Sequence, residues 1–222
     1  MPELHTRLLA DVIAPASRYP LVITGEYAVR AHHLLNRPRQ DLDVATENPA
    51  PMTEIAATLR AGPEALGWIV QTLETAPLSA RFTITDPATG LDGEVDILKE
   101  IFWRPVTQSP YGPVLAKEDG IGTKVRALAD RGAPRDPIDV FAASHRWSNA
   151  ELKEFGPRNA RGRVEREDLQ ANLTGAEWTD IEAFTAYGLD DATVARLRSW
   201  AVEWADDLAL RLLEESHDPD IV

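Results

Sequence analysis

The chain has 222 residues and a formal net charge of −13, long enough for one large domain or two small ones with a real core. It has no cysteine, which excludes a disulfide framework, a thiolate zinc site and a cysteine nucleophile. The acidity argues against a general nucleic-acid binder, and no apolar run approaches the ~20 residues of a membrane span.

The first twelve residues, MPELHTRLLADV, alternate acid and base and lack a signal-peptide core, so the cytoplasm is the expected location. Leu4, Leu8, Leu9 and Val12 give residues 3–13 an amphipathic helical face that Pro15 ends. Tyr19 to Thr24 has the character of a short buried strand. Gly25 follows, then an apolar helical stripe from Ala28 to Leu35 with Arg37-Pro38 as its stop. Asp41 to Ala45 is the second strand. Met52 to Leu59 is helical, and Trp68 to Thr72, Arg81 to Thr85 and Glu94 to Leu98 are strands. The last two are joined as a hairpin through Asp86-Pro87 and Thr89-Gly90.

Beyond Pro110-Tyr111-Gly112-Pro113 the pattern turns helical. Helices are expected over Lys117–Asp130, Pro137–Arg146, Asn149–Phe155, Trp178–Ala186 and Asp190–Glu215, with a basic loop at Pro157–Gly162. The implied class is α+β, with a sheet domain over 1–115 and a helical domain over 116–222. Charge is uneven along the chain. Residues 117–166 carry 11 bases against 8 acids, whereas 167–222 carry 3 against 14. A basic segment inside an acidic protein suits one specific polyanion, and a mixed solvated surface explains it equally well.

The residues most suggestive of chemistry are Asp41 and Asp43. Carboxylates at i and i+2 of a strand share one face, and an all-oxygen anionic pair suits Mg²⁺. Gly25, between strand and helix, permits a tight turn and close backbone approach to phosphate. Glu26 has an ordinary structural account, since an acid in a first helical turn is favourable against the dipole. His32 lies on the apolar side of its helix and reads as a core histidine, with no zinc spacing around His32-His33. Arg158, Arg161, Arg163 and Arg166 form a loop-like run able to meet phosphates or simply water. The Trp200–Trp204 stripe reads as packing.

The segment LVITGEYAVRAHHLLNRPRQDLDVAT, Leu21 to Thr46, resembles the opening of the polymerase β-type nucleotidyltransferase core. The resemblance is to the AbiEii/AbiGii (MenT-like) toxin branch, where an apolar strand, a Gly pair or Gly-Ser, a helix, an Arg and Asp-hydrophobic-Asp follow in order. Gly25, Arg37 or Arg39, and Asp41-Leu42-Asp43 match. Glu26 departs, standing where the family has a second Gly or a Ser. A second match lies in KEDGIGTKVRALADRGAPRDPIDV, with Lys124, Asp130-Arg131 and Arg135-Asp136-Pro137-Ile138-Asp139.

The resemblance implies a polymerase β-like core followed by a helical C-terminal domain. It implies Asp96, in Val95-Asp96-Ile97, as the third acid beside Asp41 and Asp43 in a two-Mg²⁺ site. It implies Lys124 and Arg131, seven apart on one helix face, as cations for the triphosphate beside Gly25 and Glu26. Asp136 and Asp139 read instead as helix-starting, Arg-orienting residues. The activity implied is transfer of a nucleotide from an NTP to RNA, notably the tRNA 3′ end, by a toxin with a cognate antitoxin. Two alternatives stand beside it. One is a small-molecule transferase of aminoglycoside type; the other is an inactive relative in which Glu26 repels the NTP.

Overall fold

The computed structural model describes residues 3–13, 18–32, 34, 41–158 and 165–216. His33, Arg37, Arg39, Arg161 and Arg163 lie outside them. The chain divides into two compact units, 1–120 and 121–222.

The first unit is built on one sheet. Its elements in chain order are α1 (Glu3–Ile13), β1 (Val22–Ile23), α2 (Gly25–Ala31), β2 (Asp41–Thr46) and α3 (Met52–Ala65). They continue with β3 (Ile69–Ala76), β4 (Ser79–Thr85), β5 (Asp92–Lys99), β6 (Thr107–Ser109) and β7 (Gly112–Val114). The strand order is β3-β4-β5-β2-β1-β7-β6. β3, β4 and β5 form an antiparallel meander, β2 joins β5 in parallel, and β1 runs antiparallel to β2 and parallel to β7.

Alternation along the strands decides which face is covered. Leu42 and Val44 of β2, Val95 and Ile97 of β5, and Ala80, Phe82 and Ile84 of β4 are all buried. They share their core with Leu8 and Leu9 of α1 and Met52, Ile55 and Leu59 of α3. The interleaved residues Asp41, Asp43, Glu94, Asp96, Arg81 and Thr83 are exposed or half-buried and occupy the opposite face. The sheet is therefore apolar on one side and charged on the other. At its hairpin the Asp86 carboxylate accepts the Ala88 N–H at 2.9 Å and Arg7 at 2.8 Å.

The second unit is helical. α4 (Lys117–Arg131) leads into it, followed by α5 (Arg135–Ala143), α6 (Asn149–Arg158), α7 (Arg166–Trp178), α8 (Ile181–Thr185) and α9 (Asp191–Ser216). α5, α7 and α8 all pack on α9, whose Val194, Leu197, Ala201, Trp204 and Leu208 are buried. Trp204 packs against Trp200 with ring centroids 5.4 Å apart and planes tilted by 50°, as the packing reading expects. Gly132 ends α4 at φ +56°, and Asn172 of α7 donates to the Leu128 and Ala129 carbonyls at 2.9 and 2.8 Å. This side chain satisfies last-turn acceptors that the helix leaves open.

Several expected boundaries move. The helix expected to close at Leu59 runs through Pro63 to Ala65. Trp178 ends α7 rather than opening a helix, and the 77% exposed indole explains why it supplies no packing signal. α7 itself is disguised by its polar content, since Leu169, Leu173 and Ala176 are its buried positions. β6 and β7 are strands in a stretch where no strand was expected, around Pro110-Tyr111-Gly112-Pro113. β7 pairs with β1 far away in sequence, so nothing in its own residues announces that pairing, and β6 joins the sheet only through β7. No described helix is long and apolar enough to cross a membrane.

Candidate active site

The site is built where β1 gives way to α2. Gly25 has φ +60°, a backbone state that side chains disfavour. A Cβ at that position would overlap the Asp43 carboxylate oxygen and lie 2.7 Å from Asp43 Cγ and 2.8 Å from its Cβ. The glycine is thus required twice, by its dihedral and by the carboxylate pressed against it. The Thr24 N–H donates to the Asp43 carbonyl at 2.9 Å, which clamps the turn to β2.

The register of β2 and β5 brings in the third acid. Asp41 pairs with Glu94, Leu42 with Val95 and Asp43 with Asp96. Asp41, Asp43 and Asp96 therefore lie on one face of neighbouring parallel strands, opposite the core. Asp96 is not bare. Arg81 on β4 stands directly across from it and donates through Nε at 2.6 Å and through a terminal nitrogen at 2.8 Å. That bidentate pair, foremost through its hydrogen bonds, raises the Arg81 pKa above the ordinary guanidinium value.

Behind this face the environment is drier. Glu26 is 1% exposed, so its carboxylate lies within the fold instead of standing out at the surface. Tyr27 beside it is 4% exposed, and burial pushes its phenol up to about 12. His32 at the end of α2 contacts the Leu115 carbonyl through Nε2 at 2.6 Å, in keeping with a structural histidine. Asp119 is buried and accepts the Trp103 and Arg104 N–H groups at 2.9 and 3.0 Å; burial raises its pKa.

The second motif lies in the helical unit. Lys124 is 7% exposed, and its Nζ is 2.9 Å from Asp139, which is 1% exposed. Arg131 donates to Asp136 through Nε at 2.8 Å and through a terminal nitrogen at 2.5 Å, and the Ala133 N–H adds a third bond at 2.9 Å. Asp136 is thus an Arg-orienting residue as expected. It sits inside the first turn of α5, however, and not at the N-cap, because the helix begins at Arg135. Lys124 and Arg131 each face a carboxylate of their own unit.

Among the described residues no three acidic or histidine side chains already form a metal cage. The donor types nevertheless fit a hard divalent cation, since the charged sheet face offers carboxylates from β2 and β5. The guanidinium held on Asp96 shows that this face draws positive charge. Arg81 is the residue that sequence reasoning passed over. Its signal was present in SARFTIT, where strand alternation sets Arg81 on the face opposite Ala80 and Phe82.

The fold is that of the nucleotidyltransferases. MenT4, a nucleotidyltransferase toxin from Mycobacterium tuberculosis H37Rv, superposes with a TM-score of 0.62 at 14% identity, over 92% of this chain and 82% of that one. A candidate nucleotidyltransferase from H. pylori gives 0.55 at 16% identity over 98% and 100% of the two chains. JHP933 from Helicobacter pylori gives 0.52 at 14% over 96% and 94%. No protein-family profile matches the chain, and no curated protein matches it in sequence.

Proposed function

We propose that this protein is a Mg²⁺-dependent nucleotidyltransferase toxin of the MenT-like type, moving a nucleotide from an NTP to an RNA acceptor, the tRNA 3′ end. The observation that carries the reading is the placement of Asp41, Asp43 and Asp96 on one face of adjacent strands, with Gly25 fitted beneath Asp43. Similarity of fold to the MenT4 toxin supports it.

In this reading Asp41, Asp43 and Asp96 hold the cations. When bound, divalent metal activates the attacking hydroxyl and neutralises charge on the leaving pyrophosphate. The chain's own contribution is positioning. Gly25 lets the backbone come close to phosphate, and β2 and β5 fix the carboxylates by their ladder. Lys124 and Arg131, held on Asp139 and Asp136, are the cations that the resemblance assigns to the triphosphate. A cognate antitoxin is the implied partner.

The test is incubation with each labelled NTP, Mg²⁺ and either total tRNA or an aminoglycoside. Label on tRNA that disappears with Asp43→Asn, a loss of about 10²-fold or more, supports the reading. Label on the aminoglycoside alone replaces the RNA acceptor with a small molecule. Transfer that survives Asp43→Asn refutes the site.

A further inference from the structure

The charged face of β2, β5, β4 and β3 carries Asp41, Asp43, Glu94, Asp96 and Glu74, and among the described residues of these four strands Arg81 is the basic one on it, since Lys99 pairs with Thr46 on the other face. Carboxylates gathered on one surface repel unless a cation joins them. Arg81 answers that need with one guanidinium edge, donating from Nε and one terminal nitrogen to the two oxygens of Asp96. Its side chain is 50% exposed while that of Asp96 is 20% exposed, so the head group sits on the solvent side of the acid. Glu74 lies directly across from Arg81 on β3, and Glu94 lies two residues from Asp96 on β5, across from Thr83 on the same face. Both are exposed. A guanidinium leaving Asp96 therefore has two carboxylates within its own neighbourhood to receive it.

We propose that Arg81 is a resident counter-cation of Asp96 that exchanges with the divalent metal, so that metal entry and Arg81 release are one coupled event. The inference rests on the assignment of Asp96 to the metal site under the proposed function. Arg81 keeps the acidic face stable before the metal arrives, and it sets the apparent metal affinity by competing for the same oxygens. Exchange onto Glu74 and Glu94 keeps the charge near the site, where the planar fork is suited to phosphate oxygens.

The experiment titrates the full-length protein with Mn²⁺ as the probe, reading free Mn²⁺ by electron paramagnetic resonance. Arg81→Met should bind Mn²⁺ about fivefold more tightly than the parent, the affinity equivalent of an exposed ion pair at the strong end of its range. Arg81→Lys keeps the charge but loses the fork, and should fall between them. In an Asp96→Asn background the Arg81→Met gain should vanish. Arg60→Gln, which removes an equal charge from α3 on the covered side of the sheet, should leave the affinity where it was. Far-UV circular dichroism checks that each variant folds, and Arg81→Lys carries the test if Arg81→Met does not. Affinity unchanged or weakened in the Arg81 variants overturns the exchange while leaving the metal site standing, as does a gain that persists with Asp96→Asn. An equal gain from Arg60→Gln also overturns it. Absence of Mn²⁺ binding to every protein, parent included, overturns the metal reading and the exchange together.

Discussion

Replacing Gly25 with alanine tests the site at its tightest point. Two costs are separable. Holding a non-glycine residue at φ +60° costs about 1–2 kcal/mol. Accommodating a Cβ 2.7 Å from Asp43 Cγ and 2.8 Å from its Cβ is an overpacking problem worth about 1–3 kcal/mol. The sum is about 2–5 kcal/mol if Asp43 stays in place, and only the first part if its carboxylate swings aside. Under the proposed function the second outcome lowers transfer, because relief comes by displacing a proposed metal ligand, whereas the first costs stability. A double-mutant cycle separates the terms. In an Asp43→Gly background the obstructing side chain is absent, so Gly25→Ala should cost only its dihedral penalty. Urea denaturation followed by far-UV circular dichroism measures all four proteins. Transfer of label to tRNA provides the parallel readout for the Gly25→Ala single variant. An identical stability cost in both backgrounds, with normal transfer by Gly25→Ala, would refute the claim that this glycine exists to admit Asp43.

Two further predictions concern charge. Asp139→Ala removes the carboxylate 2.9 Å from the buried Lys124 Nζ and should destabilise the protein by about 3–5 kcal/mol. Pairing a Lys124→Met change with Asp139→Leu should recover most of that loss in the same denaturation assay; failure to recover it would show that the pair does more than neutralise itself. At the β4–β5 turn, the Ala88 N–H first and Arg7 with it hold the Asp86 carboxyl below its usual range. A lowered folded pKa means stability that is present above the unfolded value of about 3.9 and lost as pH falls through the folded one. Asp86→Asn should therefore lower the melting temperature at pH 7, and the gap to the parent should close as the pH drops below about 4. A gap that holds or widens toward acid would contradict this account.

What could be read from the residues alone follows a physical rule. Long periodic segments such as 191–216 and the alternating strands of 79–99 declare themselves, because each buries a face of its own. The Asp41–Asp43 pair was legible because a two-residue spacing on a strand fixes a shared face before any partner strand is known. The match of Asp43 with Asp96 needed only the expectation that their strands are neighbours. β7 was not legible, because its stability comes from a parallel pairing with β1 some ninety residues away. α7 was hidden for a different reason: three buried side chains suffice for a helix packed along one side of α9. Arg81 was missed because its partner is set by the β4–β5 register, and a lone arginine on a strand carries no sign of the acid across from it.

The arrangement of the sheet explains why the acids can coexist with a stable fold. One face of β4, β5 and β2 is filled by Phe82, Val95, Ile97, Leu42 and Val44, all at most 2% exposed. These residues fix the strands whatever happens on the other side. Apart from the close contact of Asp43 with Gly25, the side chains of the charged face answer mainly to electrostatics. In that setting a carboxylate needs no burial and no costly desolvation, only a cation within reach. Arg81 on Asp96 meets that need within the chain. The same alternation that builds the core therefore also leaves Asp41, Asp43 and Asp96 on a surface where positive charge from outside can join them.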